Sequence, residues 1–202
     1  MKKKAASAPI LAALAGAALL GGCATPAYVS PVDVTRFVGD QPAFLGQGTI
    51  QIVPATGLSA ESLEYGLYRD ALRLELEELG YRVVMVNGSQ VARLAIDQYV
   101  LGEGERRSPV DVGVGGSTGT YGSGVGVGIG FNLGGRPSER IAREVSVSIR
   151  EAGGDQNLWE GRAGMTATAN SDYAADAVAA PHIIDALFSD FPGTSGETIA
   201  VE

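Results

Sequence analysis

The stretch from Val145 to Thr168, VSVSIREAGGDQNLWEGRAGMTAT, constrains the fold more than any other. Val145, Val147 and Ile149 alternate with Glu144, Ser146, Ser148 and Arg150. After Gly153-Gly154-Asp155, Trp159, Ala163, Met165 and Ala167 alternate with Glu160, Arg162, Thr166 and Thr168. Side chains of a strand point to opposite faces in turn, so each arm is a strand with one apolar and one polar face. Two such arms around a glycine turn predict an antiparallel hairpin, and its apolar face needs a cover. Trp159, the single tryptophan, is expected to point inward, between this hairpin and the first helix.

That helix is predicted after Ser59, read as its N-cap, with Leu58 and Leu63 as a hydrophobic staple. Tyr68, Leu72, Leu76 and Leu79 form one stripe, and Leu63, Leu67, Ala71 and Leu74 form another. So wide an apolar arc suits a helix packed on a sheet. Gly80 takes the place just past the helix end. Strands are predicted at Thr49–Val53, Tyr81–Val86 and Ala92–Leu101. A last helix runs from a Ser171 cap to about Phe188, with Pro181 either kinking it or restarting it. The predicted fold is α+β: a mostly antiparallel sheet with two main helices packed on one face, plus a glycine-rich hairpin or loop.

The glycine-rich region, 102–135, contains GSGVGVGIGFNLGG from Gly122 to Gly135. Val125, Val127, Ile129, Phe131 and Leu133 alternate with glycines, and upstream Val110, Val112 and Val114 alternate with Asp111 and Gly113. In a strand this pattern gives one apolar face and one face of bare backbone. Two arms are expected around a turn at Gly115–Tyr121. Three readings stay open: a mobile loop, a hairpin whose bare face admits another sheet or chain, and a membrane-crossing hairpin completed by other protomers. The candidate interaction residues are Val125, Gly126, Val127, Gly128, Ile129, Gly130 and Phe131.

The N-terminus, Met1-Lys2-Lys3-Lys4 and then an apolar run from Ala5 to Leu20, has the form of a signal peptide. It ends in Leu20-Gly21-Gly22-Cys23, a lipoprotein box in which the Cys23 thiol takes a diacylglyceryl group and cleavage frees its amine for acylation. Two or three acyl chains anchor far better than one. Cys23 is the only cysteine, so no disulfide competes for it. Ala24 follows it where aspartate would favour inner-membrane retention, which points to outer-membrane sorting. Cleavage removes all three lysines and takes the formal charge from −8 to −11. Such a balance excludes nucleic acid and repels anionic headgroups. The expected organisation is a signal peptide over 1–22, a lipidated N-terminus and proline-bearing tether over 23–47, and one domain over 48–202 with the glycine-rich insert at 102–135.

Several segments in this order resemble one family. They are VTRF (Val34–Phe37), GTIQIVP (Gly48–Pro54), ELGYRV (Glu78–Val83), VSVSIREAGGDQNLWEGRA (Val145–Ala163) and ALFSDFPGTSGET (Ala186–Thr198). Together they resemble the bacterial lipoproteins of domain-of-unknown-function family 4136, across nearly the whole mature chain. The resemblance implies a cell-envelope lipoprotein with a small α/β domain, and brings no catalytic or ligand residues with it.

The chemistry on offer is sparse. Gly115-Gly116-Ser117-Thr118-Gly119 matches the nucleophile-elbow pattern, but that motif needs a strand-to-helix turn, and more glycine follows here. The single histidine, His182, stands beside Pro181 on the last helix. One histidine and one lipidated cysteine make no transition-metal set, and the glycines miss the dinucleotide fingerprint, so no cofactor is expected. Glu75, Glu77 and Glu78 read as a solvated helix edge. Trp159 and Tyr173 read as core before ligand platform. The expectation is a non-enzymatic, periplasm-facing lipoprotein of the cell envelope. It acts through contacts with an envelope protein or with copies of itself. The alternatives are a small envelope hydrolase or ligand-binding enzyme using the Ser117 region, and an outer-membrane oligomer that inserts its hairpin.

Overall fold

The computed structural model describes residues 26–101 and 139–202, together with the backbone of two strands between them. In chain order the strands are β1 (Val32–Val38), β2 (Thr49–Pro54), β3 (Arg82–Val84), β4 (Gln90–Leu101), β5 (Val110–Ser117), β6 (Gly124–Phe131), β7 (Arg140–Glu151), β8 (Asn157–Thr168) and β9 (Thr198–Val201). The helices are α1 (Leu63–Glu78) and α2 (Asp176–Phe188), with 3-10 turns at Pro42–Phe44 and Asp172–Ala174. Two compact units result: one holds residues 27–102 and 138–202, the other contains β5 and β6.

The larger unit is built on a seven-stranded sheet in the order β3-β2-β4-β7-β8-β1-β9. The predicted α+β class holds, and the sheet is mixed: β2 runs parallel to β3 and β4, and the other four pairings are antiparallel. β7 and β8 form the expected hairpin, and β4 pairs with β7 from Gln90↔Glu151 to Leu101↔Arg140. One face of the sheet supplies Val34, Leu94, Val145, Val147, Ile149, Trp159 and Met165 to a single core with Tyr68, Leu72 and Leu76 of α1 and Ile183, Ile184 and Leu187 of α2.

Five expectations are corrected. First, the segment read as a tether contains β1, which lies between β8 and β9, with Val32 and Val34 fully buried. Pro26 and Pro31 precede the strand and Pro42 follows it, so they punctuate the chain without breaking β1. Second, the polar tail contains β9, which pairs with β1 from Val32↔Val201 to Thr35↔Thr198.

Third, α1 starts three residues late. Ser62, not Ser59, is the cap, and its Oγ accepts from the Tyr65 N–H at 3.1 Å. This start buries Tyr65, Tyr68, Leu72 and Leu76, and leaves Leu63 89% exposed at the first helical position, so no staple forms. Leu67 and Leu74 are also exposed, which narrows the arc to one stripe. The other end is as predicted. Gly80 adopts a φ of 98°, the Gly80 N–H donates to Glu77 O and the Tyr81 N–H to Leu76 O, the paired bonds of a Schellman motif.

Fourth, the strand expected at Tyr81–Val86 is cut to Arg82–Val84, and Met85 and Val86 are exposed in the turn to β4. Fifth, Asp172–Ala174 is a 3-10 turn, and α2 begins at Asp176 and continues through Pro181. Proline leaves the carbonyl four residues back without a donor. That residue is Ala177, which is exposed, as is Pro181.

Two buried arginines fix the ends of α2 to the sheet. Arg143 on β7 donates to Asp176 Oδ1 at 2.9 Å, Tyr173 O at 2.9 Å and Ala174 O at 2.6 Å. Arg36 on β1 donates to Leu187 O at 3.0 Å, Ala186 O at 3.1 Å and Ser189 Oγ at 2.9 Å. The second contact satisfies terminal carbonyls and places a cation at the negative end of the helix dipole.

Candidate functional site

The glycine stretch forms a two-stranded antiparallel sheet. Its register pairs Val110↔Phe131, Val112↔Ile129 and Val114↔Val127, and in the alternate rows Asp111↔Gly130, Gly113↔Gly128 and Gly115↔Gly126. Strand alternation therefore puts the apolar positions on one face and the glycine pairs on the other. All seven candidate residues, Val125 to Phe131, lie on β6. The turn expected at Gly115–Tyr121 is corrected: β5 continues to Ser117, because Gly115 and Gly116 extend the ladder opposite Gly126 and Val125. Residues 118–123 lie outside the described residues, as do Cys23 and the rest of the lipoprotein box.

The hydrolase alternative meets a different context from the one its motif requires. Ser117 ends a hairpin strand opposite Gly124, where a nucleophile elbow joins a strand to a helix. His182 packs against Tyr173, with ring centroids 4.9 Å apart. Trp159 is fully buried, which removes it from any ligand platform. Its ring stacks on Phe188 at 5.0 Å, and its Nε1–H donates to Pro192 O at 2.9 Å. The expected inward orientation holds, but its neighbour is α2 and not α1. Gly161 makes this possible: a Cβ there would overlap the Trp159 ring and come within 2.8 Å of Leu187 Cδ1.

The other face of the seven-stranded sheet is open and polar. Exposed Asp97 and Glu144 stand directly opposite each other, and Gly164 separates Glu144 from Asp33. The missing side chain leaves a shallow depression of about 210 Å³ among Ser30, Asp33, Tyr99, Glu144, Gly164 and Thr166. That is below the range of small-molecule pockets, roughly 300–1,000 Å³. Ser30 Oγ is engaged already, donating to Pro31 O and accepting from the Thr166 N–H. Among the described residues no group of three or more His, Cys, Asp and Glu is placed to hold a metal ion.

Perturbed titrating groups sit away from this depression. Burial pushes the Glu75 carboxyl above its ordinary value, and Asp185 and Glu78 push it further. The solvated edge expected at Glu75, Glu77 and Glu78 is thus half-buried at Glu75, while Glu77 pairs with Arg73 at 3.0 Å. Burial draws the Arg36 guanidinium down, against the pull of Asp190 and Glu197. Burial raises the Tyr68 phenol, whose hydroxyl has no hydrogen-bond partner.

One end of the sheet is where both unusual segments of the chain meet the larger unit. Leu101, the last residue of β4, pairs with Arg140, the first of β7, and Arg140 pairs with Thr168, the last of β8. Thr168 exchanges hydrogen bonds with Tyr28: its N–H donates to Tyr28 O, and the Tyr28 N–H donates to its Oγ1, both at 2.9 Å. The N-terminal segment therefore enters, and the glycine-rich insert leaves and returns, along one row of four neighbouring chain positions. Nothing in the residue pattern announced this convergence, because it depends on β1 joining the sheet.

Comparison with known proteins places this architecture. Among curated proteins none matches the chain. A PDZ domain protein from Parabacteroides distasonis ATCC 8503 is similar in structure, with a TM-score of 0.50 and 13% sequence identity over 98% of this chain. The match covers 44% of that protein, so this chain spans under half its length. Two crystal forms of a PelC dodecamer from Paraburkholderia phytofirmans each give a TM-score of 0.42, at 14% and 12% identity. They cover 78% and 81% of this chain, and 95% and 99% of theirs. The model of the family described as Domain of unknown function (DUF4136) matches residues 41–193, well over half of the chain, and the protein therefore belongs to the DUF4136 family.

Proposed function

We propose that this protein is a lipid-anchored component of the bacterial cell envelope, held in the outer membrane through Cys23, facing the periplasm and acting through protein contacts in envelope assembly or maintenance. The three lysines, the apolar run and the Leu20-Gly21-Gly22-Cys23 box support the anchor. The observation that carries the contact role is the β5–β6 register, in which Gly113 faces Gly128 and Gly115 faces Gly126. These two adjacent glycine pairs carry no side chain, so a second backbone can approach that part of the face closely. Glycine weakens a strand, and a spacer has no need to combine it with a continuous apolar row on the opposite face.

The test is a crosslinking pull-down from intact envelopes, with residues 110–131 present or deleted. The contact reading expects a partner, or further copies of the protein, captured only with the hairpin present. Identical capture from both forms would remove the hairpin from the reading. For the anchor, Cys23→Ser should release the protein from membranes under a high-salt wash. Retention of that variant would refute lipidation as the attachment.

A further inference from the structure

We infer that the Tyr28–Leu101 end of the sheet is a bilayer-contact surface, seated among uncharged and zwitterionic lipid headgroups. The inference rests on the proposed lipid anchor at Cys23. Hydrogen bonding to the sheet begins at Tyr28, five residues after Cys23. Even fully extended, five residues reach at most about 18 Å. The 12-residue strand β4 is about 40 Å long at 3.3–3.4 Å per residue. A leash shorter than half the sheet keeps the Tyr28 end close to the anchor, and leaves the opposite end free to stand away from the membrane.

The side chains at that end have the chemistry of an interface. Tyr28, Tyr99, Val100 and Leu101 are between 45% and 57% exposed. β2 ends opposite Leu94, so the last turn of alternation in β4, from Asp97 to Leu101, is paired on one side only, by β7. This leaves Tyr99 and Leu101 together on one face and Val100 on the other. Tyrosine has an apolar ring and a polar tip, which suits the boundary between headgroups and acyl chains. Arg140 lies over the Tyr28 ring, 5.4 Å from its centroid, and its guanidinium is placed at the rim, where a lipid phosphate would sit. Glu139, next to Arg140, and Asp97, two residues before Tyr99, are exposed, and the whole chain is acidic. Anionic lipid is therefore not the attraction: burial of tyrosine and aliphatic surface is.

The full-length lipidated protein, reconstituted in phosphatidylcholine vesicles, tests this with benzoylphenylalanine in place of Tyr99 or of Met85. Met85 is exposed in the turn that precedes β4, at the opposite end of that strand. Illumination should give a phospholipid adduct from position 99 and none from position 85, unchanged by added salt. With the photoreactive residue at position 28, Tyr99→Asp with Leu101→Asp should abolish the adduct, while the protein still floats with the vesicles. Adducts of equal yield from both ends, an adduct at 99 to protein alone, or an adduct that salt removes would overturn the surface. Failure of the wild-type protein to float, or flotation of Cys23→Ser as complete as wild type, would instead overturn the anchor and the inference with it.

Discussion

The β7–β8 and β5–β6 hairpins share a period of two and differ in what fills the second row. In β7–β8 the apolar row, Val145, Val147, Ile149, Trp159 and Met165, is covered by helices, and the other row carries Ser146, Ser148, Glu160 and Arg162 towards water. In β5–β6 the second row holds two glycine–glycine pairs, Gly113↔Gly128 and Gly115↔Gly126, between the pairs Asp111↔Gly130 and Ser117↔Gly124. The period identifies a strand in both. The second row is what separates them: polar side chains suit solvent in the first case, and in the second the glycine pairs support the proposed contact with a backbone at close range.

Substitutions in the two hairpins should therefore have opposite kinds of effect. The largest concerns Trp159, whose ring fills the space between β8 and the end of α2. Trp159→Ala should cost about 3–5 kcal/mol in chemical unfolding, as a large-to-small core change. An unchanged midpoint would mean that the ring contributes no packing. Gly161→Val should cost about 1–3 kcal/mol, because its Cβ enters the volume of the Trp159 ring and Leu187. The same replacement at Gly126 and Gly128 should leave that unfolding midpoint in place, since β5 and β6 belong to the other compact unit. If both kinds of glycine variant destabilise the seven-stranded domain equally, the distinction between the hairpins fails.

How far the residues announced this arrangement follows from which forces are local. The β7–β8 hairpin, the body of α1 and the Gly80 cap were legible, because periodicity and a positive-φ glycine act over a few residues. β1 was not, since VDVTRFV alternates only briefly between prolines and its partners β8 and β9 are more than a hundred residues away. The predicted cap at Ser59 was three residues early, because serine suits a cap at either position and burial of Tyr65 and Tyr68, a tertiary effect, sets it at Ser62. Arg36 and Arg143 were not singled out in the sequence, since each is buried against main-chain carbonyls at the two ends of α2 that are brought together only in the folded chain. Of the candidate site, the alternation was legible and the register was not. The glycines at 115 and 116 suggested a turn, and only pairing with Gly126 and Val125 makes them strand.

Two smaller effects sharpen the contrast by probing the covered face of the large sheet. Ionised Glu75 opposes folding, because burial, Asp185 and Glu78 raise its carboxyl above the ordinary 4.5. The penalty is absent below that ordinary value, and it grows as pH rises through the raised one. Glu75→Gln should accordingly raise the melting temperature at pH 7 and lose its advantage below pH 4.5. A gain that is independent of pH would exclude ionisation as its source. Tyr68→Phe should change stability least, within about 1 kcal/mol and in the stabilising direction, since the lost hydroxyl is buried without a partner. A clear loss of stability would show that the hydroxyl is satisfied in solution, for instance by an internal water.

Whether the glycine row of β5–β6 is a contact face can be decided by co-purification. Wild-type protein, Gly126→Val with Gly128→Val, and Val127→Arg with Ile129→Arg are each purified in detergent from envelopes, and co-purifying partner and further copies of the protein are quantified. The valine pair should abolish co-purification while the domain stays folded, because side chains then occupy the space of the facing backbone. Loss with the arginine pair alone would assign the work to the apolar row and favour a membrane-inserting hairpin, where a midplane charge costs about 2–4 kcal/mol. Unchanged co-purification in both variants would refute the contact face and make the stretch a spacer.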